Sequence, residues 1–456
     1  MSNPLIFVSI PGLRRRDFST MLETQKRLGA VSISTLEHSF PSVTWPAQAH
    51  LLTGKTANEH GVTANGFFWR NTNSVEMWTA KNYVIQRPQI WDLLHIASPT
   101  KTSLAWFPML SKESGADYIA MPAPIHNPDG SEDLWCYTKP TEYYGTLLDQ
   151  LGHFPLQHFW GPLANIKSSQ WIADSAMAAI QKFHPDFSYI YIPHLDYAAQ
   201  KWGPNSEQAI EAVRELDVLL ANFVDGIHQS VSSNAKLVLA SEYVIQDVNH
   251  VTYPNRILRE AGLLTVVTEE GGGELIDFES SRAWALVDHQ FSNIYVKNSD
   301  AETIEQVVKL FSNQNGIDGI FAGDARNEIG MQHERAGDII LVSTPTVGKR
   351  TTIGSTTHKH RASPERSTSI ASQDTIRLSC SSTWPHDRFR SMPNLSKVPM
   401  AWSQQKQPRN LSWSLPHAKT KCPQPSVTWT FAIGLSMKFQ TRHNQSCNDL
   451  KQSCND

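Results

Sequence analysis

The stretch PSVTWPAQAHLLTGK, Pro41 to Lys55, sets Thr44 between Val43 and Trp45, where an extended run turns into a helix. Two roles suit a hydroxyl at such a junction. Ser42 or Thr44 can accept a hydrogen bond from a free N–H of the first turn and so cap the helix through PAQAHLLTG. Alternatively, Thr44 attacks an electrophile, and the helix N-terminus favours the incoming anion. The segment alone leaves both readings open.

Around it, from the start to about Pro345, apolar strand-like runs alternate with amphipathic helices, the pattern of a layered α/β fold. The strand candidates LIFVSI, SYIYIP, KLVLAS, SNIYVK and GDIILVS are continuous apolar or β-branched runs, as expected of strands buried on both faces. Between Ser206 and His228 the residues Ile210, Val213, Leu216, Leu220, Phe223 and Ile227 share one helical stripe, and SSQWIADSAMAAIQKF is a second such helix. From about 67 to 161 the composition shifts to Trp, Tyr, Pro and Asn with weak periodicity. That predicts a cap insertion or long loops over a sheet edge, where substrates are often met. Phe68, Trp91 and Trp160 could stack on a base or leaving group there, although such aromatics more often pack.

A chain of 456 residues, 40% hydrophobic, suits one large α/β domain with an insertion, or two domains. The net charge of -3 and the lack of a Lys/Arg stripe argue against nucleic acid or an anionic membrane as partner. MSNPLIFVSIPGL reads as a first core strand and not a signal peptide, and no run is long enough to span a bilayer. Cys136 stands alone in the body while Cys380, Cys422, Cys447 and Cys454 crowd the last quarter. That spacing fits a reducing, cytoplasmic setting better than a disulfide framework.

Four pieces in order carry a resemblance: FVSIPGL; PSVTWPAQAHLLTGK with EHGVTANGFF; YIPHLDYAAQKWGP; and VLASEYVI. Together they resemble the type I phosphodiesterase/nucleotide pyrophosphatase branch of the alkaline phosphatase superfamily, over about the first three quarters of the chain. The resemblance implies a mostly parallel central sheet with helices on both faces and a cap. It also implies two zinc ions, and a threonine that attacks phosphorus to give a phosphoryl- or nucleotidyl-enzyme. Thr44 aligns with that nucleophile and Asn65 with the amide that holds a phosphoryl oxygen. A metal would lower the hydroxyl pKa, and two metals would clamp the attacking and leaving oxygens. The substrate would be a phosphorylated small molecule. The order of the pieces favours the nucleophile over the cap.

The metal ligands are where this chain departs from the resemblance. An aspartate before Gly-Leu is replaced by Pro11, and the histidine four residues after Asp196 by Gln200. A Ser-Asp-His-Gly motif becomes Ser241, Glu242, Tyr243 and Val244. What stays in register is Thr44, Asp196 and Glu242, all oxygen donors, a set better suited to magnesium, calcium or manganese than to zinc. His194, placed with Asp196 on one strand face, and His289, beside Asp288, could substitute, against a plain structural role for each. The expectation is a divalent-metal phosphohydrolase acting through Thr44. The alternatives are a degenerate relative that binds a phosphorylated ligand or partner without turnover, or a site using another ion and a lipid or sugar phosphate.

After about Pro345 the text turns to Ser, Thr, Arg, Gln and Pro without period. TSIASQDT, Thr368 to Thr375, is what codons for Asp-Ile-His-Arg-Lys-Pro-Gly-Tyr yield when read one base ahead. Residues 346–456 therefore read as the product of a lost base. A disordered tail would replace late histidine-bearing segments and apolar strand material, leaving 1–345 as the phosphodiesterase-like domain, less stable than its unshifted parent.

Overall fold

The computed structural model describes residues 3–350, except 38, 78, 80, 127–131, 233 and 269–272. The shifted-frame reading of the tail lies, from residue 351 on, outside the described residues.

Six strands form the central sheet: β1 (Leu5–Ser9), β2 (Ser103–Trp106), β3 (Tyr118–Pro122), β4 (Cys136–Lys139), β5 (Phe187–Tyr191) and β6 (Lys236–Ala240). Their order is β6-β1-β5-β2-β3-β4, and every neighbouring pair is parallel except β3 with β4. All five residues of β5 are buried, which explains why FSYIY carries no polar alternation. Helices α1 (Thr44–Thr53), α2 (Ile166–Phe183), α3 (His194–Trp202) and α4 (Glu207–Ser230) accompany the sheet. Ile172 and Ala176 of α2 and Leu216 and Leu220 of α4 join Ile6, Val8 and Ile190 in one core. Each such aliphatic side chain contributes about 1.5–3 kcal/mol through its burial.

Three expectations change here. The stretch 67–161, read as a cap, supplies β2, β3 and β4 of the central sheet. Its aromatic bias belongs largely to the core, where Trp91, Trp106, Phe107 and Tyr144 are buried. Strand β6 lies at the sheet edge and buries only Ala240, so KLVLA is not covered on both faces. Ile210 is 46% exposed because Ala209, about 100° away around α4, takes the inward position of that turn.

SNIYVK and GDIILVS are buried as expected but belong to a second sheet. Strands β7 (Ala283–Asp288), β8 (Phe291–Val296), β9 (Ile317–Ala322) and β10 (Ile339–Ser343) run in the order β7-β8-β10-β9, all antiparallel. Burial on both faces does not encode strand direction. The two-residue link His289-Gln290 sets it here, with His289 at φ +53. Phe68 packs in this second core against Trp284 and Tyr295, with ring centroids 4.4 and 5.0 Å away, and Trp91 is fully buried in the first core. For these two aromatics the packing role holds. No helix among the described residues is long and apolar enough to cross a membrane.

Candidate active site at the strand ends

In the middle of the sheet, Ser9 of β1 pairs with Ala240 of β6 and with Tyr191 of β5. Three parallel strands therefore end together, and the chain just beyond them carries Asp196, Glu242 and Tyr243. The crevice past the carboxyl ends of parallel strands is where α/β sheets place ligands. Asp196 is 5% exposed and Glu242 8%, so both carboxylates lie in the protein interior.

Asp196 lies in the first turn of a helix, not on a strand. Two residues along a helix turn the side chain through about 200°, so His194 cannot share its face. Instead His194 Nε2 meets Glu215 Oε2 of α4 at 2.9 Å, a structural role. Gln200, one turn after Asp196, lies near its carboxylate and acts to lower its pKa.

The first residue of α1 is Thr44, and the N-cap is Val43, an extended residue with no side-chain cap bond. The Ser42 hydroxyl donates to Ser39 O at 3.0 Å, away from the helix. The cap comes from afar: Trp45 N–H donates to Asn65 Oδ1 at 2.9 Å. Asn65 is held in turn by Asp288, through its backbone N–H at 2.8 Å and its Nδ2 at 3.3 Å. Thr44, relieved of capping and only partly buried, sets its hydroxyl 3.1 Å from Tyr243 Oη. Tyr243 Oη donates to Asp196 Oδ2 at 3.3 Å.

Glu242 Oε1 accepts two bonds, from Ser9 Oγ at 2.6 Å and Gln48 Nε2 at 2.9 Å. Its Oε2, like Asp196 Oδ1, is buried without a partner among the described residues. Burial pushes Glu242 up to about 8, against the Ser9 and Gln48 hydrogen bonds and with help from the Asp196 charge. Asp196 rises to about 6, again through burial, opposed by the His289 charge and by bonds from Gln200 and Tyr243. Burial, then the two carboxylates, holds Tyr243 well above the usual phenol range. At His289 burial acts downward, yet the 2.7 Å bond to Asp288 and the charges of Asp288 and Asp196 raise its pKa overall. Such displaced titrations, gathered in one crevice, mark candidate functional groups.

The description of type I phosphodiesterase/nucleotide pyrophosphatase matches residues 5–364. The chain belongs to that family. A curated relative, an uncharacterised pyrophosphatase/phosphodiesterase of Schizosaccharomyces pombe, is 21% identical over 251 residues, 52% of this chain and 44% of the relative. The chain thus spans less than half the length of that relative. Phosphonoacetate hydrolase from Sinorhizobium meliloti, solved with phosphonoformate, superposes with a TM-score of 0.55 at 18% identity, covering 81% of this chain and 87% of the hydrolase. Murine ectonucleotide pyrophosphatase/phosphodiesterase 5, solved as an inactive variant with AMP, gives 0.53 at 13% identity over 76% of this chain and 80% of the other. These likenesses establish an alkaline-phosphatase-like fold.

Members of this family are metalloenzymes. Among the described residues, the expected ligand positions do not fit a two-zinc cage. Pro11 is buried with no donor atom, Gln200 carries an amide where an imidazole would stand, and Tyr243 a phenol where another would. Of the expected ligands, Thr44 and Asp196 are joined through Tyr243, while Glu242 turns one oxygen to Ser9 and Gln48. Among the described residues no group of three or more His, Cys, Asp or Glu is arranged to hold a metal ion. Zinc needs about four such donors.

Ser9 and Gln48 went unnoticed in the sequence. Gln48 lies one helical turn after Thr44, so the i, i+4 rule could have found it. Ser9 is two residues before Pro11, on the same face of the strand line, where alternation would have placed it.

Proposed function

We propose that this protein is a phosphohydrolase that cleaves a phosphodiester or pyrophosphate bond of a small molecule by transferring the phosphoryl group to Thr44. The observation that carries this reading is the Thr44 hydroxyl itself. It stands at the N-terminus of α1, partly exposed, with its cap duty taken by Asn65 and its hydroxyl 3.1 Å from Tyr243 Oη. The first-turn N–H groups of a helix offer partial positive charge to an incoming phosphate. Asn65 donates one amide hydrogen to Asp288 and keeps the second for a phosphoryl oxygen. The ligands of the two structural neighbours, a phosphonate and AMP, support a phosphorylated small molecule as substrate. No step here is routed through a metal.

Turnover of bis(p-nitrophenyl) phosphate should be measurable and should disappear in Thr44→Ala. Equal turnover in that variant removes Thr44 from the reaction.

The second reading, a binding protein without turnover, is favoured by Pro11, Gln200 and Tyr243 at positions where the family resemblance calls for ligands. Calorimetric binding of AMP with no hydrolysis under any divalent cation would select it.

A further inference from the structure

We propose that Tyr243 orients the Thr44 nucleophile, in a centre that holds this hydroxyl by hydrogen bonds and not by a metal ion. The inference rests on Thr44 being the nucleophile.

A phenol has one hydrogen, and Tyr243 gives it to Asp196 Oδ2 at 3.3 Å. What it turns toward Thr44, 3.1 Å away, is therefore a lone pair. Thr44 must donate, so its hydrogen points at Tyr243 and its own lone pairs point elsewhere, free to meet phosphorus. A metal would have done the reverse, binding a lone pair of the hydroxyl.

Space argues the same way. A cation shared by Thr44 and Asp196 would lie about 2.0–2.2 Å from each oxygen. The Tyr243 oxygen already lies within hydrogen-bond distance of both, and the Tyr243 main-chain carbonyl is held where two strands end. Gly12 N–H donates to Tyr243 O at 2.8 Å, and Ser241 Oγ donates to the same oxygen at 2.8 Å. Glu242, the preceding residue, directs one carboxylate oxygen to Ser9 and Gln48. Of the residues at the expected ligand positions, Tyr243 thus bridges Thr44 and Asp196, while Glu242 is bonded separately to Ser9 and Gln48.

In the transfer, the Thr44 Oγ1–P bond forms as the bond from phosphorus to the leaving oxygen breaks and takes its electron pair away. The Thr44 proton passes to Tyr243 Oη while Tyr243 passes its own to Asp196 Oδ2. The leaving oxygen takes a proton from solvent.

The test uses the full chain, with Tyr243→Phe, which keeps the ring, and Thr44→Ala. Three things are measured: zinc and manganese retained after loading and dialysis, kcat and KM with bis(p-nitrophenyl) phosphate, and the melting temperature. The expected result is no stoichiometric metal in the wild-type protein, and in Tyr243→Phe a kcat lower by about 10²-fold with KM little changed and melting lowered only as far as the lost hydrogen bond to Asp196 explains. One or two retained ions per wild-type chain would overturn the proposal even in a protein without turnover. So would an unchanged kcat in Tyr243→Phe while Thr44→Ala is inactive, an outcome that spares the proposed function. Full activity in Thr44→Ala would instead remove the nucleophile and this inference with it.

Discussion

Trp45 and Asn65 are joined by a 2.9 Å hydrogen bond from the helix N–H to the amide oxygen, and through it the N-terminus of α1 is tied to Asp288 at the end of β7. The second sheet thereby helps to hold the helix that carries Thr44 in place. Asn65→Ala removes the cap and leaves the buried Asp288 with fewer donors. The expected loss is about 1–2 kcal/mol in urea unfolding, with turnover falling beyond what stability explains.

Ser9 Oγ donates to Glu242 Oε1 at 2.6 Å between adjacent strands, and both groups are buried. Ser9→Ala leaves that oxygen with Gln48 alone. A destabilisation of about 1–3 kcal/mol is expected, read from the denaturation midpoint at constant slope. A change under a few tenths of a kcal/mol would mean that the bond contributes little.

His50 and His60 lie with ring centroids 4.8 Å apart, the Nε2 of each without a partner among the described residues. Burial lowers His50 to about 4 and His60 to about 3, the latter with help from the charges of His50 and His333. The unfolded chain takes up these protons near the ordinary value of 6.5, well before the folded one does. Stability is therefore full above that value and falls as pH drops toward 4 and 3, by up to about 2–3 kcal/mol per pH unit. His60→Gln should reduce this acid slope by about half in unfolding curves taken between pH 7.5 and pH 5.

Lys349 is buried in the short strand Val347–Lys349, paired with His250–Thr252, and its Nζ has no partner among the described residues. Burial lowers it from 10.5 to about 7, so the fold gains stability as pH rises between these values. Lys349→Met should stabilise the protein at neutral pH by about 1–3 kcal/mol, measured as a raised denaturation midpoint. A lysine in such a place also accords with a shifted reading frame from about Pro345 onward. Resequencing the codons for Ser343 to Arg350 is expected to reveal a missing base, and an intact frame there would end that reading of the tail.

Local patterns exposed much of the framework. The apolar runs of β1 and β5 and the stripe of α4 are short-range signals, set by burial and by a fixed residue period. They do not distinguish a parallel strand from an antiparallel one, and the directions of β8 and β10 are set by their pairing. Nor could they show that β2, inside an aromatic-rich stretch, lies between β5 and β3. Strand order depends on contacts between distant parts of the chain, which composition does not carry.

The sequence by itself determined that Thr44 opens a helix after an extended run, that Asp196, Glu242 and Tyr243 follow later strands, and that three expected metal-ligand positions hold Pro11, Gln200 and Tyr243. Only the tertiary structure decided what these residues do to one another. The cap passed from Thr44 to Asn65, His194 turned from Asp196 to Glu215, and Tyr243 entered between Thr44 and Asp196. The physical reason is that a hydrogen bond depends on a few tenths of an ångström and on direction. Both are fixed where strands 1, 5 and 6 end side by side, by backbone pairing between segments more than a hundred residues apart in the chain.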